Sequence, residues 1–479
     1  MPGGGLPRSF WVDRMTKRVL LVSTPWERNH LVSEAIDDES HYPIGLAYLH
    51  SYLESRGHIV ETEWLNNYPL IWKSVLDYKL KGTFPDIVGF NMLTMNRVST
   101  YRGIEWVHEY YPKIQIVLGG IHATIMYQQI LERYPYVIII RGEGEITFGD
   151  LLEAWDMGDD YSQIPGIAYC TEGKIFKNPD RELIEDLDVL PFPKHEIFFS
   201  GGRKFAGILT SRGCPSSCSF CCLNPTSKKR VRFRSVANVI QEIEYLIKTF
   251  PKLETIWIHD DSFFLNTNRV IEFCDQGVAK GIKVSFICSG RFKPITEEMV
   301  FKLEKAGFKS VMLGLESGDE HILELCHKGI NHEDILKATK LFAQTNIDLT
   351  MFLIVGLPGE NLSTILNTAK FIQELQQIKY LYYQDIGILA VYPGTEVYEL
   401  MKQKGLIADD FWMTSAATPY YTVDSDVSML KAYKEILLSH ISVDKIITPS
   451  GFLNQFNMLP WSFPYVWKYK LLPKLEGYL

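Results

Sequence analysis

Along the first third of the chain, apolar residues come in short unbroken runs. RVLLVS (18–23), DIVGFNML (86–93), IQIVLGG (114–120) and YVIIIRGE (136–143) each end in small or polar residues. A strand covered on both faces shows this pattern, because neither side of it meets water. Between the first two runs, IGLAYLHSYLESRG (44–57) sets apolar residues at helical spacing and closes on Arg56-Gly57, a helix stop signal. The alternation predicts an α/β domain with a Rossmann-like, doubly wound parallel sheet over residues 17–155.

A stretch over 156–202, with two prolines inside LDVLPFPKHE (187–196), reads as a linker with some local structure. Strand patterns then return at 205–212, 255–261, 284–291, 310–317, 349–360 and 384–394, with helical patterns such as 235–250 and 296–308 between them. Repeated strand–helix units with right-handed crossovers predict a parallel sheet curled into a partial (β/α)6 barrel of the TIM type over 203–400. Residues 401–479 form a small, mostly helical end: DDFWMTSAATPYYTVDSD (409–426) suits a substrate lid over the barrel mouth, and 429–441 is an amphipathic helix. The tail from Asn457 mixes prolines, aromatics and charges; it suits peripheral contact with a membrane surface, and packing against the barrel is the preferred reading. The residues before Met15 read as an irregular leader and carry no weight in the fold.

Composition narrows the function classes. With 46% hydrophobic and 22% charged residues, the chain is of ordinary globular character. A net charge of -8 gives no electrostatic case for nucleic acid. No run approaches about 18 apolar residues, so no spanning helix is expected. Eight cysteines, four of them inside nine residues, are no secreted disulfide framework, and a reducing, cytoplasmic location is expected.

Those four cysteines lie in TSRGCPSSCSFCC (210–222), directly after the first barrel strand. Cys214, Cys218 and Cys221 leave three and then two residues between them; Cys222 is adjacent to Cys221, and adjacent side chains diverge. Cys170, Cys274, Cys288 and Cys326 are scattered singly, whereas a structural zinc site takes its ligands in recurring pairs. Three thiolates suggest an iron–sulfur cluster with one iron left free for substrate. Polar residues gather at the other barrel strand ends, where such folds keep their functional groups: Asp260, Asp261, Ser289, Arg291 and Glu316. In the first domain, STP (23–25), NMLT (91–94), GGIHAT (119–124) and GEGE (142–145) occupy the corresponding ends and suit a large cofactor lying across the sheet edge. The same glycines would also serve tight turns alone. No G-x-G-x-x-G follows the first strand, against a dinucleotide.

C-x-x-x-C-x-F-C after the first strand of a strand–helix barrel resembles the signature of the radical SAM enzymes. With IHDDSF, LGLESG, VGLPGE and YPGT following in order, residues 17 to 400 resemble the cobalamin-dependent branch that includes anaerobic magnesium-protoporphyrin cyclase-like enzymes. The resemblance implies a four-iron four-sulfur cluster on Cys214, Cys218 and Cys221, whose free iron holds S-adenosylmethionine for cleavage to a 5'-deoxyadenosyl radical. By position it implies Phe220 beside the adenine, Asp260 or Asp261 at the amino group, and Ser289, Arg291 and Glu316 near carboxylate and ribose; Arg291 could pair the carboxylate in a fork. Asp261 and Glu316 could equally cap the next helix. It implies cobalamin on Thr24, Pro25, Asn91, Thr94, Gly119, Gly120, His122, Glu143, Gly144 and Glu145. The D-x-H-x-x-G motif is absent. This fits cobalamin bound without a protein histidine, and equally a domain that has lost the cofactor.

The expected activity is methylation of an unactivated carbon of a small molecule, with a flavodoxin or ferredoxin as electron donor. Cyclisation or oxidative rearrangement without methyl transfer is the alternative, and an iron–sulfur or cobalamin sensor the second. A thiomethylating enzyme would need a second cysteine cluster, and no cysteine precedes Cys170.

Overall fold

The computed structural model describes residues 16–28, 31–32, 42–158, 160–199 and 202–440. The leader before Met15 and the aromatic tail lie outside them. A first sheet runs, in spatial order, Ile59–Trp64, Arg18–Ser23, Ile87–Asn91, Gln115–Gly119, Val137–Ile140, Ile167–Thr171 and Lys174–Lys177. The first five strands are parallel and the last two join antiparallel. These two fall inside the stretch expected to be a linker, so part of it extends the first domain's sheet. The chain steps to one side of Arg18–Ser23 and then to the other, creating a switch point where ligand crevices form.

Alternation along the buried strands feeds two cores. Val19 and Leu21 pack with the helices Ile44–Ser55 and Gly144–Met157. Leu20 and Val22 pack with Trp72–Thr83 and Arg97–Tyr110. The second core does not stop at the domain edge: Ile322, Leu357, Leu389, Val397, Tyr398 and Trp412 belong to it as well. First domain, barrel and C-terminal segment therefore share one apolar core.

The barrel sheet runs Phe205–Ile208, Thr255–Ile258, Ser285–Gly290, Phe308–Glu316, Asp348–Val355 and Leu381–Ile388, all parallel and in sequence order. Its first strand is an open edge, with backbone groups that need partners. Tyr42 supplies them from the first domain: its hydroxyl accepts the Gly207 N–H at 2.9 Å and bonds His195 Nδ1 at 2.9 Å. His195 Nε2 meets Glu242 at 2.7 Å, and Arg234 pairs with the same carboxylate. A buried polar chain thus covers the edge at Gly207.

The segment 409–426 is fastened to the first domain. Tyr101 Oη donates to the Trp412 carbonyl at 3.3 Å, Arg133 Nη1 to that of Met413 at 2.7 Å, and Arg97 to that of Ala416. Tyr420 bridges Ala390 just past the sixth strand. The amphipathic helix follows as Val427–His440. Among the described residues no helix is long and apolar enough to cross a membrane. Trp412 is fully enclosed in the shared core. Trp412→Ala is expected to cost about 3–5 kcal/mol, read as a lowered midpoint in chemical denaturation.

Candidate active site

The cysteine segment leaves the first barrel strand under tight control. Asp260, at the end of the second strand, accepts from Thr210 N at 2.6 Å, Ser211 N at 3.1 Å and both hydroxyls at 2.6 Å. Burial pushes its carboxyl up despite these donors. With its acceptor positions spent on the loop, Asp260 serves the cysteine segment, and the neighbouring Asp261 is the exposed member of the pair. Asp261 accepts the Gly213 N–H at 3.0 Å. Gly213 has φ +91°, and a Cβ there would collide with the Arg230 carbonyl, so no other residue fits the turn before Cys214.

Cys218 is buried, and Cys214 and Cys221 are half-buried. The Cys221 N–H donates to the Cys218 carbonyl at 3.1 Å, while Ser219 is held through Cys326 O at 3.1 Å and Val397 N at 3.2 Å. Burial pushes the Cys221 thiol up to about 11, with the charges of Cys222, Cys218 and Cys214 adding to it. Such thiols ionise when a metal takes the proton's place. Among the described residues, no three His, Cys, Asp or Glu side chains meet as a single-ion site would require. A cluster needs no such meeting point, because each thiolate binds a different iron. The three cysteines on one anchored turn fit that chemistry.

Beside them, Arg291 donates from Nη1 to Cys218 Sγ at 3.5 Å and from Nη2 to the Lys328 carbonyl. Glu316, at φ +63°, pairs with Lys328 Nζ at 2.6 Å, both side chains nearly buried. Lys328 was not among the residues expected from sequence; it sits far along the chain from the cysteines, and no spacing marks it. Ser289 is half-buried on the neighbouring strand, and Phe220 packs half-buried against the shared core. Arg291, Glu316 and Cys218 are therefore gathered around one loop, 327–329.

A second site opens at the strand ends of the first sheet. It is a cavity of about 240 Å³ lined by Leu21, Gly89, Asn91, Gly119, Gly120 and Phe148, among others. Glu143, Gly144, Glu145 and Arg212 also face it. Gly120 has φ +96°, and a Cβ there would stand 2.6 Å from the Met92 carbonyl. The slot is largely apolar, its charged lining confined to Glu143, Glu145 and Arg212. Burial alone would raise Glu143, but Arg232 and Arg212 hold its carboxyl below the usual range.

The other residues expected at this cofactor turn away from the slot. Thr24 is buried and bonds Thr100 Oγ1 at 2.8 Å; Pro25 is buried beside it. Thr94 Oγ1 bonds His122 Nδ1 at 3.0 Å. The His122 ring stands edge-on to Trp412 with centroids 5.9 Å apart, and burial drives its pKa down to about 3. Thr94 and His122 lie on the short helical turns Thr94–Asn96 and Ile121–Ile125 that follow the strands, and these aim the two side chains at each other and at Trp412 rather than at the slot.

Comparison with known proteins agrees with this pairing of sites. The profile of the radical SAM superfamily matches residues 208–372, and that of the B12 binding domain matches 38–152. The chain thus carries both domains and is homologous to cobalamin-dependent radical SAM enzymes and to magnesium-protoporphyrin cyclase-like proteins. An uncharacterized methyltransferase of Pyrococcus horikoshii is 29% identical over 388 residues, covering 80% of this chain and 82% of that protein. The anaerobic magnesium-protoporphyrin IX monomethyl ester cyclase of Rubrivivax gelatinosus is 30% identical over 356 residues, covering 69% of this chain but only 62% of its own length. In fold, the methyltransferase TsrM of Kitasatospora setae, solved with cobalamin and a [4Fe-4S] cluster, aligns with TM-score 0.66 at 21% identity over 81% of this chain and 75% of its own.

Substitution separates Cys214, Cys218 and Cys221 from their neighbour Cys222. Cys218→Ala should lose the cluster iron after anaerobic reconstitution, whereas Cys222→Ala should retain about four irons per chain, both measured by iron and sulfide assay. Loss of iron in Cys222→Ala would move that residue into the ligand set.

Proposed function

We propose that this enzyme transfers a methyl group to an unactivated carbon of a small-molecule substrate. One arrangement carries the reading: the stem of the cysteine segment and the wall of the slot meet at Arg212, which belongs to both. When bound, the cluster with S-adenosylmethionine supplies a 5'-deoxyadenosyl radical and cobalamin supplies methyl transfer. Naming of the Pyrococcus relative as a methyltransferase, with 82% of its length covered, supports the same choice.

The chain's own residues then divide the work. Cys214, Cys218 and Cys221 hold the cluster. Asp261, Ser289, Arg291 and the Glu316–Lys328 pair hold S-adenosylmethionine by charge and hydrogen bonds, with Phe220 against its base. Arg291 is suited to the carboxylate, since a guanidinium presents two parallel donors. Inside the barrel, Trp257, Ile287 and Met312 form an apolar cluster with Phe352, separate from the outer core filled by Ile256, Ile258 and Cys288. That lining keeps water from a reactive carbon centre. A flavodoxin- or ferredoxin-type donor would supply the electron.

Cyclisation or oxidation without methyl transfer is the second reading, favoured by 30% identity to the Rubrivivax cyclase. Product accounting separates the two. With methyl-deuterated S-adenosylmethionine, a low-potential reductant and a small-molecule extract as substrate pool, the methylase is expected to release 5'-deoxyadenosine and S-adenosylhomocysteine in about equal amounts alongside a labelled product. 5'-Deoxyadenosine without S-adenosylhomocysteine would overturn methylation in favour of the second reading.

A further inference from the structure

The carboxylates on the slot wall already have partners, and those partners belong to the barrel. Arg212 Nη1 lies 3.2 Å from Glu143 Oε1, and its Nη2 lies 2.7 Å from Glu145 Oε1. Arg232 Nη1 reaches Glu143 Oε2 at 2.8 Å and the Ile184 carbonyl at 2.7 Å, and its Nη2 reaches Glu143 Oε1 at 3.0 Å. Arg212 and Arg232 stand opposite each other in the antiparallel ribbon Ser211–Arg212 with Arg232–Phe233. This ribbon is the stem from which the segment bearing Cys214, Cys218 and Cys221 springs. Arg212 also lies over the Tyr48 ring, 5.0 Å from its centroid, and lines the slot itself.

We infer that Arg212 is a positioning residue that couples occupancy of the cobalamin slot to the geometry of the cysteine segment. The inference rests on the proposed reading of the slot as a cobalamin site. Its physical basis is the cost of slippage: a ligand that shifts the Glu143-Gly144-Glu145 turn must carry both guanidiniums with it or leave a largely buried charge unpaired. Arg212 spans two carboxylates at once with a planar fork, which a lysine cannot do. Coupling between two sites is reciprocal, so a formed cluster must favour cobalamin by the factor with which cobalamin favours the formed cluster.

The test uses the full chain, with hydroxocobalamin as probe. Its Kd is measured anaerobically by spectral titration on protein with the cluster reconstituted and on protein made cluster-free, and the ratio of the two is the readout. Wild type is expected to bind about tenfold or more tightly with the cluster in place. Arg212→Gln should bring the ratio close to one, and Arg212→Lys should fall between. Arg230→Gln, which removes an exposed pair with Glu185 in the same segment, should keep the wild-type ratio. If Arg212→Gln does not fold, Glu145→Gln removes one of the two carboxylates and should reduce the ratio in the same direction. An equal ratio in wild type and the variant, or a wild-type ratio of one, overturns the coupling while leaving the cobalamin site standing. Wild type that binds no hydroxocobalamin in either state overturns the cobalamin reading and the coupling together.

Discussion

Two carboxylates and two guanidiniums have been taken largely out of water where the first domain meets the barrel. Each charge costs several kcal/mol to desolvate, and the cluster is tolerable because Glu143, Glu145, Arg212 and Arg232 satisfy one another at hydrogen-bonding distances. Removing any one member strands the others, so the arrangement specifies a single docking of the two domains. Beside this polar knot runs the shared apolar core, from Leu20 and Val22 through Leu389 and Val397 to Trp412. The hydrophobic contact gives the interface its strength, and the ion cluster gives it its register.

That register is what function requires. A slot at the strand ends of one sheet and a cysteine turn at the strand ends of another can cooperate only when the two sheets are held at one mutual position. Tyr42 closes the barrel's open edge from the first domain, and Asp260 commits its carboxylate to the cysteine segment. Asp260, which looks like a ligand-binding group by position, is thus structural, and the proposed function gives its place to neighbours such as Asp261 and Lys328.

What could be read in advance follows the range of the interactions concerned. The run RVLLVS announced its strand because burial on both faces leaves a continuous apolar signature; the edge strand IVETEW, with Glu61 and Glu63 alternating toward partly exposed positions, left none strong enough to mark. The pair Ile167–Thr171 and Lys174–Lys177 sat in a stretch read as linker, because a short antiparallel hairpin added to a parallel sheet breaks the repeat that signalled the domain. The cysteine motif was legible because its three cysteines lie within eight residues. Arg212 and its partners are 67 and 69 positions apart, and Glu316 and Lys328 meet through a loop, so neither pairing leaves a local pattern. His122 shows the same limit: the sequence puts it near the strand end, and only the fold brings its ring against Trp412 and Thr94.

A chain that holds both cofactors at once reveals it in its metal content. Protein purified anaerobically from cobalamin-supplied cells is expected to carry about four irons, with matching sulfide, and about one cobalt per chain. Four irons without cobalt would mean that the first domain holds no cobalamin, leaving it as a docking module and the barrel to hydrogen-abstraction chemistry alone.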